Sequence, residues 1–263
     1  MTLLTQSDAE FARAELDAGC NMMAQLLNGL LDSKGRVADE VHAIRKLGKS
    51  LRGGFSLFQL KDSASEIQVI GRLLSAPRDA VSRLKTWQKL DWENDLIVSK
   101  AIFGMLDHST HSAARRPPLE TIEWCQERIT AARQTLMELH VDALKSITRA
   151  GAKRLQKKVR RRLAALDCRD EDGFHDARKA LKAYMGAAGF LPKQEQPLKP
   201  EMSEIADLLG DENDLATLSD WLTAHGFTES FAEGLWKLIK KNRRALRKQI
   251  VADANGLFCK DSL

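Results

Sequence analysis

Apolar residues recur with a helical period of about 3.6 along almost the whole chain, while strand-like alternation is rare and β-branched residues are sparse. The pattern therefore predicts an all-α fold. Turn signals at Asp32 to Gly35, at Pro117-Pro118 and between Pro192 and Pro200 divide it into helices. The predicted helices are Ser7 to Asp32, Val37 to Leu60, Ser63 to Lys89, Trp92 to Asp107, Leu119 to Leu166, Asp172 to Phe190, Lys199 to His225 and Thr228 to Phe258.

These eight helices fall into two sets of four with the same internal order: a leading helix, a helix with a histidine, a helix with an aspartate, and a closing helix. His42 precedes Asp79 by 37 positions and His175 precedes Asp214 by 39, so the spacing favours an internal duplication. Short connections place consecutive helices side by side. We predict a single domain over residues 1–263 with two four-helix-bundle repeats, about 1–116 and about 117–263.

The two histidine helices carry the same pattern of positive side chains, because each histidine is followed at +3 by arginine and at +4 and +7 by lysine. The first stripe is His42, Arg45, Lys46 and Lys49, and the second stripe is His175, Arg178, Lys179 and Lys182. At about 100° per residue, each set of four lies within an arc of roughly 100°. Apolar residues occupy the opposite side of both helices. A duplicated cationic stripe indicates a surface that holds a polyanion.

Composition places the chain among globular proteins, with a 43% hydrophobic share that is ample for a core. No apolar run approaches the roughly 18 residues of a membrane span, and Met1 to Glu10 is unlike a signal peptide, so a cytoplasmic location is expected. Cysteines occur singly, without the spacing of a zinc site or redox motif, and are expected to be reduced thiols. They are Cys20, Cys125, Cys168 and Cys259.

A net charge of +5 does not by itself imply an anionic partner, but the distribution of charge does. The first basic tract, Arg149 to Arg162, has eight cations and no acid, and the second basic tract, Lys237 to Lys248, has seven cations and no acid. Like charges one helical turn apart repel each other by a few tenths of a kcal/mol. We therefore expect these tracts to be unrelieved positive faces that a bound anion compensates.

The histidine helices and the helices that follow them resemble the CHAD family, helical domains named for their histidines. The first family pattern is matched by His42, Arg45, Lys49 and Arg52, followed by Arg78-Asp79; the second is matched by His175, Arg178 and Lys182, followed by Leu209-Gly210 and Asp214. Two positions depart from the pattern. Met185 replaces the second +10 cation, and Asn213 stands where Arg78 stands in the first copy.

The CHAD resemblance implies two four-helix bundles related by pseudo-twofold symmetry, with a basic central groove that binds inorganic polyphosphate. Such a chain offers only phosphates, which arginine and lysine bind without base recognition. Outward-facing cations of both basic tracts extend the predicted site. Its residues are His42, Arg45, Lys46, Lys49, Arg52, Arg78, Lys153, Lys157, Arg160, Arg161, His175, Arg178, Lys179, Lys182, Lys237, Lys240, Lys241, Arg244 and Lys248. Asp79 and Asp214 are interpreted as structural side chains that orient a cation or cap a turn.

We predict a noncatalytic protein without a cofactor or bound metal. Gly48-Lys49-Ser50 lacks the earlier glycine of a phosphate-binding loop, and His108 and His111 lack the ligands that would complete a metal site. The predicted partners are polyphosphate and, by extension, polyphosphate-metabolising proteins or polyphosphate granules, and no membrane. Each stripe also fits an ordinary amphipathic surface helix.

Two other functions stay open: binding of RNA or nucleotide phosphate, and an accessory role in a metal-dependent phosphohydrolase. Proteins that read nucleic-acid bases present aromatic platforms, and the nine Phe, five Trp and one Tyr of this chain lie mainly at core-like positions. Nucleic acid is therefore the less favoured ligand.

Overall fold

A computed structural model describes residues 4–32, 37–92, 95–113, 116–192 and 200–259 of the chain. Those residues form ten α-helices and one short 3₁₀ helix and include no strand, which confirms the all-α prediction. The helices are α1 Gln6–Asp32, α2 Val37–Leu57, α3 Lys61–Leu73, α4 Ala76–Leu90, α5 Leu96–Ala113, α6 Leu119–Met137, α7 Leu144–Ala164, α8 Glu171–Ala188, α9 Pro200–Ala224 and α10 Glu233–Cys259, with the 3₁₀ helix at Val141–Ala143.

The predicted helix Ser63 to Lys89 is wrong as a single element, because the chain breaks between α3 and α4. The amide of Ser75 donates to the carbonyl of Arg72 at 3.0 Å, which tightens and ends α3. Pro77 then lies in the first turn of α4, the place in a helix where a missing N–H costs nothing.

The predicted helix Leu119 to Leu166 is also two helices, α6 and α7, because His140 adopts an extended conformation with ψ of 130°. At this break, backbone carbonyls lose their hydrogen-bond partners within the helix, and side chains of α1 donate hydrogen bonds to them instead. Arg13 Nη1 donates to Leu139 O at 3.2 Å, and Gln6 Nε2 donates to Val141 O at 2.5 Å. A tertiary contact with α1 therefore fixes a break for which the local sequence has no glycine or proline.

Helix α5 starts later and ends later than the predicted Trp92 to Asp107. Asp95 caps its first turn, since Asp95 Oδ1 accepts hydrogen bonds from the amides of Ile97 and Val98, both at 3.0 Å. At the end of α9, Gly226 adopts φ of 84°, and the amide of Phe227 returns to Leu222 O at 2.9 Å. A glycine suits this position because other residues are strained there.

The chain forms two compact units that interleave along the sequence. Unit 1 comprises residues 1–76, 116–161 and 179–199, and unit 2 comprises residues 77–115, 162–178 and 200–263. The compact units are therefore not the sequence halves 1–116 and 117–263. The division into two repeats and their pseudo-twofold relation concern internal similarity and stay predictions.

In unit 1, α1, α2, α3 and α6 form a four-helix bundle, in which α1 packs on α2 and α6 and α3 packs on the same two helices. Its core includes Leu16, Met23, Ile44, Phe55 and Ile129. The bundle is closed by α6, which the sequence pattern placed in the second set of four. Burial of one apolar stripe from each helix stabilises the unit.

In unit 2, the core is built from α4, α5, α9 and α10 and includes Trp87, Ile102, Leu106, Leu218 and Ile239. Helices α9 and α10 pack on each other. Across the described ranges of both units, no helix combines the length and the apolar character that crossing a membrane requires.

Candidate functional site

The first stripe lies on α2 with its polar side outward. His42 and Lys46 are exposed, whereas Arg45 and Lys49 are half-buried. Val41, Ile44 and Leu51 on the other side of the helix are fully buried in the core of unit 1. Burial of this apolar side fixes the rotation of α2 and so holds the four polar groups outward.

The second stripe on α8 repeats this burial pattern at every offset. His175 and Lys179 are exposed and Arg178 and Lys182 are half-buried, while Phe174, Ala177 and Leu181 on the opposite side are buried. His175 Nδ1 lies 3.3 Å from Asn213 Oδ1. The asparagine that replaces the expected cation therefore contacts the histidine of the second stripe.

Within unit 1, α2 and α8 cross at two glycines that occupy the same place on the two helices. Gly53 lies eleven positions after His42, and Gly186 lies eleven after His175. A Cβ added to Gly186 would lie 2.8 Å from Lys49 O and 3.4 Å from Gly53 Cα, and a Cβ added to Gly53 would lie 2.4 Å from the backbone nitrogen of Ala187. This close approach brings Lys49 of the first stripe to the same crossing as Lys182, which lies one turn before Gly186.

Two arginines of α2, Arg45 and Arg52, interact with residues of α3. Arg45 Nη1 donates to the carbonyl of Gly71 at 2.5 Å, which ties α2 to α3. Burial, and then the positive charge of Arg72, lower the pKa of Arg52. The positive charge of Arg72 adds to the effect of burial, and a bound anion would offset both.

Helix α7, which holds the first basic tract, also packs directly against the end of α2. A Cβ added to Gly151 would lie 1.8 Å from the carbonyl oxygen of Leu57, and Arg154 Nη2 donates to Ser56 O at 2.8 Å. Arg154 itself is half-buried. The four predicted site residues on this helix are all exposed; they are Lys153, Lys157, Arg160 and Arg161.

Three helices of unit 1 thus hold eleven of the nineteen predicted site residues, and α2 contacts both of the others. They are His42, Arg45, Lys46, Lys49, Arg52, Lys153, Lys157, Arg160, Arg161, Lys179 and Lys182. The remaining eight belong to unit 2. They are Arg78, His175, Arg178, Lys237, Lys240, Lys241, Arg244 and Lys248.

In unit 2, the aspartates of the two family patterns, Asp79 and Asp214, interact with nearby polar side chains. Asp79 Oδ1 lies 3.5 Å from Arg78 Nη1, and Asp214 Oδ2 accepts a hydrogen bond from Ser82 at 3.0 Å, which joins α9 to α4. Arg83, one turn after Asp79, has its Nε buried without a hydrogen-bond partner among the described residues. Burial lowers the pKa of Arg83, and the charge of Asp79 partly offsets this.

The sequence did not single out Arg72 and Arg83, because neither lies on a histidine helix. The charge of Arg72 acts on the predicted site residue Arg52, and Arg83 interacts with Asp79, which follows the predicted site residue Arg78 in the sequence. The available signal was position: Arg72 ends the helix after the first stripe, and Arg83 follows Arg78 by five residues on α4.

The expectation that the second basic tract is an unrelieved positive face is wrong for four of its seven cations. Lys237 pairs with Glu233 at 2.7 Å, and Lys240 Nζ pairs with Glu229 at 2.6 Å. Arg243 and Arg247 together donate four hydrogen bonds of 2.7–3.0 Å to Glu212 Oε1. Lys241, Arg244 and Lys248 are exposed on the same helix. Whether cations of α10 bind a ligand stays a prediction.

The Glu212 cluster, which we define as Glu171, Glu212, Arg243 and Arg247, neutralises itself. Glu212 is only 4% exposed, so its charge is stabilised by the two guanidiniums and not by water. Glu171 adds a second carboxylate, 2.9 Å from Arg247 Nη2 and 3.4 Å from Arg243 Nη2. Arg247 also lies over the Phe174 ring, 5.4 Å from its centroid. These ion pairs connect α8 and α9 to α10 and so stabilise unit 2.

Other reactive side chains have environments that do not activate them. Burial raises the pKa of Cys20 to about 12 and that of Cys125 to about 11, which suppresses their thiolates at neutral pH. His111 Nδ1 lies 2.8 Å from Asp107 O, and His108 Nε2 lies 3.3 Å from Ser112 Oγ, both within the last turns of α5. Nowhere in the described ranges do three His, Cys, Asp or Glu residues gather as a metal site would need.

The sequence matches a known protein family, and the fold is similar to that of solved structures. The family model of the CHAD domain matches residues 21–223. The fold is similar to the crystal structure of the CHAD domain from the plant Ricinus communis, with a TM-score of 0.66 and 18% identity over 94% of this chain and 91% of that one. It is also similar to PptA from Streptomyces chartreusis, with a TM-score of 0.63 and 12% identity over 94% and 98% of the two chains. No curated protein sequence matches the chain.

Proposed function

The chain belongs to the CHAD domain family, and from this premise we propose that it binds inorganic polyphosphate, without catalysis, through the cationic side chains of α2, α7 and α8. The observation that carries the proposal is the meeting of these helices in unit 1: α2 crosses α8 at Gly53 and Gly186 and packs against α7 at Gly151. Because α7 and α8 share α2 as a neighbour, the three cationic helices would offer a linear anion successive contacts.

Charge supports the same ligand class. Within the ranges that the structure describes, Lys153, Lys157 and Arg161 of α7 have no carboxylate at ion-pairing distance, and the pKa of Arg52 is lowered by burial and by the charge of Arg72. Like charges in a folded protein are stabilised when an anion binds between them. Polyphosphate supplies about one negative charge per internal phosphate and no bases, so contacts of this kind suffice for its recognition.

The arginines and lysines of the two stripes are suited to different kinds of contact with phosphate. Arginine can donate two parallel hydrogen bonds to a phosphate, and lysine supplies a mobile point charge. In both stripes the arginine at +3 is half-buried and the lysine at +4 is exposed. We assign the fixed contacts with the phosphate chain to Arg45 and the adaptable contacts to Lys46 and Lys179, all of which belong to unit 1.

The test is a titration of fluorescently labelled polyphosphate with the wild type and with a Lys46→Glu/Lys179→Glu variant, at several salt concentrations. Both lysines are exposed, so the variant should fold normally. We expect its affinity to fall by about tenfold or more, and the slope of log affinity against log salt to become shallower by about 0.7 for each phosphate that the variant no longer neutralises. Unchanged affinity in a folded variant would refute the assignment.

Competition and product assays separate the alternatives. RNA at equal phosphate concentration should displace labelled polyphosphate poorly; equal displacement would point to general nucleic-acid binding instead. Incubation of polyphosphate with the protein and Mg²⁺ or Mn²⁺ should release no phosphate above a blank. Metal-dependent release that a binding variant abolishes would establish hydrolysis and contradict the noncatalytic proposal.

A further inference from the structure

Helix α5 in unit 2 presents an apolar surface to solvent that its own unit leaves uncovered. Four large hydrophobic side chains of this helix are exposed: Leu96 at 60%, Ile97 at 83%, Phe103 at 43% and Met105 at 39%. Of its large hydrophobic residues, only Ile102 and Leu106 are buried. Several large apolar side chains exposed on one helix are found at contact sites between proteins.

The exposed side of α5 also has almost no charge. Lys100 and Asp107 are its two charged residues, if the histidines His108 and His111 are counted as neutral. By contrast, the exposed sides of α7 and α10 are crowded with cations. Polyanion binding therefore does not explain the surface of α5.

The order of residues along α5 is self-complementary. Ile97, Gly104 and His111 lie seven residues apart and so form one line along the helix. Lys100 lies four residues before Gly104, and Asp107 lies three residues after it, on the same side of that line. If a second α5 packs antiparallel about a twofold axis at Gly104, each Lys100 lies beside the partner's Asp107, and the symmetry gives two such ion pairs.

The glycine at the centre permits such an approach. A Cβ added to Gly104 would meet no atom within 4 Å, so this position is open to solvent. Two helices with glycine at the crossing can bring their backbones close and bury the flanking Ile97 and Phe103. A groove between α5 and the end of α9, lined by Ala101, Met105, Trp221 and His225, lies on the side from which the partner's Met105 would approach.

We propose that α5 is the contact helix of a homodimer, in which the α5 helices of two copies of this chain pack antiparallel about a twofold axis near Gly104. The helix is 18 residues long, or about 27 Å, so the interface is small by the standard of permanent dimers. We therefore expect a dimer that dissociates on dilution. This inference does not depend on the ligand of α2, α7 and α8.

Sedimentation velocity of the full chain over a concentration series tests the proposal. The wild type should shift from monomer to dimer as its concentration rises. Gly104→Gln should remain monomeric, because its side chain occupies the crossing point, yet stay as stable as the wild type since Gly104 has open space around it. The matched control is Gly256→Gln on α10, an equally open helical glycine, which should dimerise like the wild type.

A charge exchange tests the geometry itself. Lys100→Asp and Asp107→Lys each place like charges face to face twice, and each should weaken the dimer by about tenfold. The double variant Lys100→Asp/Asp107→Lys restores opposite charges and should regain the wild-type dissociation constant. A wild type that is monomeric throughout, or a dimer that ignores Gly104→Gln, overturns the proposal. A double variant as weak as the single ones overturns the antiparallel arrangement.

Discussion

Helices α7 and α10 both contain a cationic tract without a single acid, yet the structure compensates the two tracts differently. On α10, carboxylates from elsewhere in the chain pair with Lys240, Arg243 and Arg247, and Glu233 of the same helix pairs with Lys237. On α7, Arg149 and Arg154 donate to the carbonyls of Leu4 and Ser56, which are neutral. A carbonyl fixes a guanidinium without cancelling its charge, so these arginines of α7 keep their charge, whereas carboxylates neutralise four of the seven cations of α10.

This difference shows that the absence of acids within a tract does not establish an uncompensated surface. Glu212 precedes Arg243 by 31 positions, and Glu229 precedes Lys240 by 11, so the acids that compensate α10 lie outside the tract. On α7, a carboxylate partner is seen for Arg162, which pairs with Asp176 at 2.8 Å. We therefore propose polyphosphate binding for α7 with α2 and α8, and a structural role for Arg243 and Arg247 of α10.

The largest effect is expected from removing the acid that compensates α10. Glu212→Gln removes the buried carboxylate beside Arg243 and Arg247 and leaves them only the exposed Glu171, which should lower the free energy of unfolding by about 3–5 kcal/mol. Denaturant titration measures this change. The control Glu229→Gln breaks the exposed pair with Lys240 and should cost at most about 1 kcal/mol. Equal costs for the two variants would mean that the Glu212 cluster stabilises the fold no more than an exposed ion pair does.

A pair of glycine substitutions distinguishes how tightly the two helices are held. Gly151→Ala drives a methyl group into the carbonyl of Leu57 and should destabilise the protein by about 1–3 kcal/mol as α7 moves away from α2. Polyphosphate affinity should fall with it. Gly256→Ala on α10 meets no atom within 4 Å and should stabilise the helix by up to about 1 kcal/mol. Thermal melts compare the two, and a harmless Gly151→Ala would contradict the close packing of α7 on α2.

The smallest effect is the acid dependence of Glu171. Hydrogen bonds from Arg247 lower its pKa, although partial burial opposes this. A carboxyl group whose pKa is lowered by folding stabilises the protein above the pKa of the unfolded chain, and this contribution is lost as the pH falls through the folded value. Glu171→Gln should therefore cost less than about 1 kcal/mol at neutral pH, because this carboxylate is largely exposed. The difference from wild type should vanish in acid; a constant difference across that range would exclude the ion pair as its cause.

Much of the helical architecture could be predicted from the sequence, because a helix that buries one side needs apolar residues about every 3.6 positions, and this spacing is visible in the sequence. The exposure pattern of both stripes is also local, and His42, Lys46, His175 and Lys179 are exposed as the helical arc requires. The break at His140 could not be predicted, since Gln6 and Arg13 of α1 fix it from more than a hundred residues away. The break before Pro77 did have a local signal.

The candidate site was less predictable than the fold for the same physical reason. Charge on a surface is the sum over all helices that meet there, and sequence shows only one helix at a time. Arg72 becomes relevant only because α3 places it near Arg52, and Glu212 only because α9 places it beside α10. Family patterns identified the histidine helices but not these neighbours.

The central claim is that α7, and not α10, contributes to the polyphosphate site. Two variants with identical changes of charge test it directly: Lys153→Glu/Lys157→Glu/Arg161→Glu on α7 and Lys241→Glu/Arg244→Glu/Lys248→Glu on α10. All six side chains are exposed, so both variants should remain folded. Titration with labelled polyphosphate at one fixed salt concentration should show a loss of about a hundredfold for the α7 variant and less than about threefold for the α10 variant. Equal losses, or a greater loss for α10, would contradict the claim.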